Sequence, residues 1–239
     1  LLQNPGATAA QVQVRYLRPA GPPLEKTYTL PPASRTNIWV NREEFAGLGT
    51  ALAASDVSAV ISTTNGVPII VERAMYLDLP GQPYGAGHES AGVTAPATEW
   101  FLAEGATGPF FDLFVLIANP GATDASVEAR YLRPDGTMVV KTYTVGANRR
   151  FNIWVDGEDA RLADTAVSTT VRSTNGVPLI VERAMWWPGN YGQWTEAHNS
   201  PGSTVTGTRW ALADGQVGGL PDVDTYVLVA NTGATATSV

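Results

Sequence analysis

The chain has 239 residues, with 15 Lys and Arg against 22 Asp and Glu, a formal net charge of -7 and no cysteine. The acidic balance excludes nucleic-acid binding through phosphate neutralisation, and the lack of cysteine excludes a disulfide scaffold, a thiolate zinc site and a cysteine nucleophile. Charged residues are only 15% of the chain, against about 25% in an average soluble domain, so Thr, Ser, Asn, Gln and Gly must cover a β-rich exterior, and no apolar run reaches the 18 or so residues of a spanning helix.

From the N-terminus, Asn4-Pro5-Gly6-Ala7-Thr8 predicts a type II turn, with Pro at its second position and Gly at its third. Val12, Val14 and Tyr16 then alternate with Gln13, Arg15 and Leu17, the period-2 pattern of a half-buried strand. Lys26-Thr27-Tyr28-Thr29-Leu30 continues that pattern after a Pro-rich connection, and Asn37-Ile38-Trp39-Val40 reads as a further strand. Residues 43–54 are the one helical candidate, interrupted by Gly47 and Gly49, and predict a helical turn on a loop. Asn65-Gly66 between apolar runs predicts a two-residue type I′ hairpin, which needs φ > 0 at both central positions. An apolar strand over 67–71 leads into Glu72-Arg73, and His88 follows in a Gly/Ser-rich stretch read as a loop.

The pattern then recurs. Asn4-Pro5-Gly6-Ala7-Thr8 returns as Asn119-Pro120-Gly121-Ala122-Thr123 and again as Asn231-Thr232-Gly233-Ala234-Thr235. Arg15-Tyr16-Leu17-Arg18-Pro19 matches Arg130-Tyr131-Leu132-Arg133-Pro134, and Asn37-Ile38-Trp39-Val40 matches Asn152-Ile153-Trp154-Val155. Asn65-Gly66-Val67-Pro68 matches Asn175-Gly176-Val177-Pro178, Glu72-Arg73-Ala74-Met75 matches Glu182-Arg183-Ala184-Met185, and Trp100 matches Trp210. About seven short strands per period of about 110 residues predict an all-β fold of tandem immunoglobulin-like β-sandwich repeats. With the frame opening near Trp100, residues 1–97 are a repeat lacking its first strands, 98–207 a complete repeat, and 208–239 the opening strands of a third. Leu1 and Leu228 share one register, so the chain reads as a window on a longer array.

Trp100-Phe101-Leu102-Ala103-Glu104-Gly105, the strand ending in Asn119-Pro120-Gly121, Val181-Glu182-Arg183-Ala184-Met185 and the Gly/His segment together resemble a known bacterial repeat. It is similar to the tandem β-sandwich domains of unknown function in large secreted and cell-surface proteins of actinobacteria and related bacteria. The resemblance covers nearly the whole chain. It implies an extracellular or cell-surface location and repetition beside enzymatic or anchoring domains, and it brings no catalytic residues. There is no signal peptide at Leu1, so an exported protein would appear here as a mature fragment.

Candidate chemistry is sparse. His88 and His198 each occupy one position per repeat, and one histidine cannot assemble a metal site alone. Glu72-Arg73 and Glu182-Arg183 follow an apolar strand, where neighbours face opposite sides. They are read as structural ion pairs with other strands, for instance Glu72 with Arg15 or Arg18. Trp39, Trp154, Trp100 and Trp210 repeat and are assigned to cores or junctions, whereas Trp186, Trp187, Tyr191 and Trp194 crowd one region as a possible ligand or partner contact. Asp222-Val223-Asp224 lacks the remaining ligands of a calcium loop. The expected function is a non-catalytic structural or adhesive module of a long extracellular bacterial surface protein or filament, without a cofactor. The alternative is a carbohydrate-binding repeat attached to a secreted hydrolase. Expected partners are neighbouring repeats or further copies joined by strand addition, and surface glycans.

Overall fold

In a computed structural model, residues 1–79, 81–189, 192–219 and 223–238 are described, with the backbone alone for Gln82, Gly189 and Gln193. The first repeat contributes β1 (Leu2–Asn4), β2 (Ala10–Leu17), β3 (Leu24–Leu30), β4 (Ser34–Thr36), β5 (Ser58–Thr63), β6 (Ile70–Leu79) and β7 (Gln82–Ala91). The second contributes β8 (Glu99–Leu102), β9 (Asp112–Asn119), β10 (Ala125–Leu132), β11 (Met138–Val145), β12 (Arg149–Trp154), β13 (Ser168–Ser173), β14 (Ile180–Gly189) and β15 (Gly192–Pro201). Each repeat is a sandwich of two antiparallel sheets. The second pairs β12-β9-β14-β15 with β11-β10-β13-β8, and the first pairs β4-β1-β6-β7 with the three-stranded β3-β2-β5. The helical candidate at 43–54 forms turns and no helix, and short 3-10 turns lie at Val40–Arg42, Val155–Gly157 and Ala160–Leu162.

The alternation seen in the sequence sets the core. Leu113, Val115 and Ile117 of β9 and Val127, Ala129 and Tyr131 of β10 point inward, with Trp100 of β8 closing the end of the second sandwich. Trp100 is 1% exposed, and its indole N–H donates to the carbonyls of Leu179 (2.9 Å) and Ala97 (3.2 Å). In the first repeat Val57, Ile61, Ile69 and Val71 stand at the positions of Val167, Val171, Leu179 and Val181, yet they are only partly buried. The cause is the strand that β13 has and β5 lacks: β8 pairs Val171 with Trp100 and Thr170 with Phe101, while β5 pairs only with β2.

Such an edge offers unpaired N–H and C=O groups to any strand of matching pattern. A peptide of residues 98–113 added to the 1–239 chain is therefore expected to slow amide exchange in β5. Unchanged exchange in β5 would show that this edge does not accept a strand.

Two turn assignments need correction. Asn65-Gly66 and Asn175-Gly176 are not type I′ hairpins. Only the glycines have positive φ (71° and 78°), and the strands they join, β5 to β6 and β13 to β14, lie in different sheets. The asparagines act through their side chains instead. Asn175 Oδ1 accepts from the Ser126 N–H (3.1 Å) and Nδ2 donates to the Asp124 carbonyl (2.9 Å), and Asn65 does the same with Gln11 and Ala9. One amide thus bridges the start of β10 as a strand residue would. Asn175→Val is expected to cost about 1–2 kcal/mol through these lost bonds, with Asn175→Asp intermediate because it keeps the acceptor. Equal denaturation midpoints for the two variants would contradict the two-sided bridge. Similarly, Gly6 and Gly121 do not take the positive φ of a type II turn. Their N–H groups donate to Asn4 Oδ1 and Asn119 Oδ1 (both 3.0 Å), and a Cβ at Gly121 would come within 3.2 Å of that oxygen.

Residues 208–239 form no strand among the described residues. Trp210 is 64% exposed.

Candidate functional site

The aromatic cluster predicted in the second repeat divides between two faces. Trp187 turns inward, packs against the core and lies edge-on to Phe111 (5.9 Å), with its N–H on Glu196 (2.8 Å). Trp186, its neighbour on β14, points to the opposite, outer face, where it pairs across the sheet with Asp112 of β9. Tyr191 lies outside the described residues.

Trp194 joins the outer face through Asp112. Its indole N–H donates to Asp112 Oδ2 (2.5 Å), while the Trp154 indole N–H donates to Oδ1 of the same carboxylate (2.8 Å). Phe114, two residues along β9, meets the Trp194 ring edge-on (5.8 Å, 85°). Trp154 is 49% exposed and Trp194 42%. Trp154 therefore belongs to the surface and not to a core or junction, and so does its counterpart Trp39 at 48%. The reason is strand parity: Ile153 and Val155 are buried, so Trp154 between them must face out. Asp112 and Phe114 were not among the residues singled out from the sequence. The signal was present in Asp112-Leu113-Phe114, whose third-copy counterpart is Asp224-Thr225-Tyr226.

Backbone strain marks the same place in both repeats. Trp194 has φ 58° and its counterpart Tyr84 has φ 56°. Bulky residues avoid this region, and such strain gathers at ligand clamps and other functional positions. Tyr84 stacks edge-on to Tyr76 (5.4 Å), the counterpart of Trp186. One difference separates the repeats. Arg42 lies over the Trp39 ring at 3.6 Å from its centroid, whereas the matching residue in the second repeat is Gly157, which lies beside the Trp154 ring with no side chain to cover it.

Another recurring constellation is structural. Tyr131 and Tyr143 hydroxyls lie 3.4 Å apart, and Tyr143 donates to Glu158 Oε2 (2.7 Å); Tyr16, Tyr28 and Glu43 repeat the arrangement. Burial, above all, pushes all four phenols up, so they stay protonated and serve as donors that pin the 3-10 turns to the hairpins. Tyr143→Phe is expected to cost about 1–2 kcal/mol, read as a shift in the urea midpoint, with no change in the aromatic face.

The histidines are strand residues and not loop residues: His88 pairs with Met75 across β6 and β7, and His198 with Met185 across β14 and β15. Burial, followed by the charges of Arg73 and His198, holds His88 below the usual histidine range. Among the described residues, no group of three or more His, Asp or Glu side chains is suited to a metal, and no helix is long and apolar enough to cross a membrane. The Glu-Arg pairs connect differently from the expectation. Arg183 is buried on Glu104, bonding its carboxylate (2.5 Å) and carbonyl (3.2 Å). Arg73 reaches into the second repeat, to Glu182 (2.7 Å) and Asn199 (2.6 Å). Glu72 forms no salt bridge among the described residues, because Arg15 is committed to Asn148 and Pro120 and Arg18 to Pro22.

No family model matches the chain, and no curated protein matches it. Among solved structures, protein 1070 of Thermotoga maritima aligns over 46% of this chain and 96% of its own, at 16% identity and a TM-score of 0.41. The Anabaena sensory rhodopsin transducer aligns over 38% of this chain and 91% of its own, at 26% identity and a TM-score of 0.33. Both scores lie below the level that marks a shared fold.

Proposed function

We propose that the chain is a non-catalytic structural and adhesive repeat module of a long extracellular bacterial surface protein or filament. The observation that carries this reading is the direct polar joint between consecutive repeats. Arg73 of the first repeat is held by Glu182 and Asn199 of the second. Arg15 donates to Asn148 and to the Pro120 carbonyl (both 2.7 Å), and Arg150 meets Asp56 (3.1 Å). The Arg150 N–H also donates to the Arg18 carbonyl (3.3 Å). These contacts fix the angle between the repeats. Two of them, Arg73 with Glu182 and Arg150 with Asp56, are ion pairs, and the others are hydrogen bonds to amide and carbonyl oxygens, each worth about 0.5–3 kcal/mol, so they orient the units more than they stabilise either one.

Arg15→Ala with Arg73→Ala is expected to broaden the distribution of dimensions seen by small-angle scattering, while each repeat keeps its unfolding midpoint. An unchanged scattering profile would show that the joint does not set the shape. The non-catalytic reading is tested separately: a chain that hydrolysed a glycan, ester or peptide, and lost that activity in His198→Ala or Glu182→Gln, would overturn it.

A further inference from the structure

We infer that the outer face of the β12-β9-β14-β15 sheet is a saccharide-binding site, in which Trp154 and Trp194 supply stacking faces and Asp112 accepts hydroxyl hydrogen bonds. This goes beyond the structural reading above and can hold or fail independently of it.

The hydrogen-bond inventory argues for this ligand class. An indole has one polar group, its N–H, and Asp112 takes both of them. What the two rings still present to solvent is π surface, which suits the C–H face of a pyranose. An ionised carboxylate has about four lone-pair sites. The indoles use two, leaving acceptors beside the rings for sugar hydroxyls. Phe114 against Trp194 and the strained backbone of Trp194 fix the ring in place before a ligand arrives, which lowers the ordering cost of binding.

Two other ligand classes fit less well. A caged organic cation needs rings that enclose and desolvate it, and here the indoles stand open on a sheet face, around a carboxylate already bonded by two N–H donors. A protein partner would favour deep aromatic anchors. Across the repeats Trp186 and Trp194 become Tyr76 and Tyr84, both exposed. That exchange preserves a flat ring and sacrifices bulk, which suits stacking better than filling a pocket.

The repeats differ in competence. Arg42 lies over the Trp39 ring in the first repeat, whereas Gly157 beside the Trp154 ring places no side chain on it in the second. The site assigned here is therefore the second repeat's, and an arginine at 157 should close it as Arg42 closes the first.

The test uses the 1–239 chain, with tryptophan emission and calorimetry read against cellohexaose, chitohexaose and xylohexaose. Concentrations up to about 10 mM reveal even a Kd of about 1 mM. At least one sugar is expected to bind. Gly157→Arg and Trp194→Gly should weaken that binding tenfold or more, and Trp39→Ala should leave it unchanged. A Cβ at Gly157 would come within 3.0 Å of Trp154 Cε3, so Gly157→Arg must also shift that ring, whereas Trp194→Gly relieves a positive φ and should keep the melting temperature; a melting curve for each variant separates lost binding from lost fold. The proposal is overturned if none of the three sugars binds, or if binding survives both substitutions. It is also overturned if tetramethylammonium or a protein partner, and no sugar, competes for the Trp194 emission change.

Discussion

Trp100→Ala should destabilise the second repeat by about 3–5 kcal/mol, the range for deleting a large buried aromatic, whereas Trp210→Ala should change stability by less than about 0.5 kcal/mol. The two tryptophans occupy the same position in matching sequence, but only Trp100 is buried. Trp100 also loses two hydrogen bonds, one to its own turn at Ala97 and one across the sandwich to Leu179. Trp210 has only the local bond, to Gly207 (3.1 Å). Against a domain stability of about 5–15 kcal/mol, the first change takes a large share, and urea unfolding would read the contrast. Equal effects would mean that the indole's contribution is local and that β8 does not depend on it.

The second large effect is expected at Asn119. This residue is fully buried, its Oδ1 accepting from Gly121 and its Nδ2 shared among the carbonyls of Thr123 (2.8 Å), Val145 (3.0 Å) and Gly146 (3.1 Å). Asn119→Ala removes the donor and leaves buried carbonyls without a partner, each costing about 1–3 kcal/mol. The expected total is about 2–4 kcal/mol, since relaxation and water recover part of the loss. Asn231→Ala removes only the bonds to Thr235 and Gly233 (2.8 and 3.0 Å) on an exposed segment and should be close to neutral. Asn4→Ala, with Leu30 and Pro31 as its distant partners, should follow Asn119. If Asn119→Ala proved as mild as Asn231→Ala, the bonds to Val145 and Gly146 would contribute nothing net.

The third copy of the motif separates the levels of information. Asn231 makes the same two local bonds as Asn4 and Asn119, because a side-chain amide closing a turn needs only its own neighbours. The contacts to Val145 and Gly146, or to Leu30 and Pro31, require another strand brought from about 26 residues away. The alternation of Val12, Val14 and Tyr16 likewise marked a buried face correctly, since strand parity is a property of the chain. The turn types were misread for the complementary reason. Asn65-Gly66 suits a type I′ hairpin locally, but β5 and β6 enter different sheets, and an asparagine side chain bridging Ala9 and Gln11 cannot be inferred without knowing that β2 lies beside it.

The aromatic face divides in the same way. Parity on β14 places Trp186 and Trp187 on opposite sides, and parity on β12, once Ile153 and Val155 are seen to be buried, turns outward the Trp154 that the sequence reading assigned to a core or junction. That Asp112 would accept both Trp154 and Trp194 depends on β9 lying between β12 and β14 in the sheet. The sequence by itself determined the internal repetition, the alternating strands with their inward residues and the positions of the asparagine turns, because each depends on groups a few bonds apart or on the two-residue period of an extended chain, whereas the strand expected at 37–40 is not formed and the stretch around His88, read as a loop, is β7. Only the tertiary structure decided which equivalent residues are buried, where Arg73 and Arg183 find their carboxylates, and which tryptophans share a carboxylate, because each of those depends on which strand lies alongside.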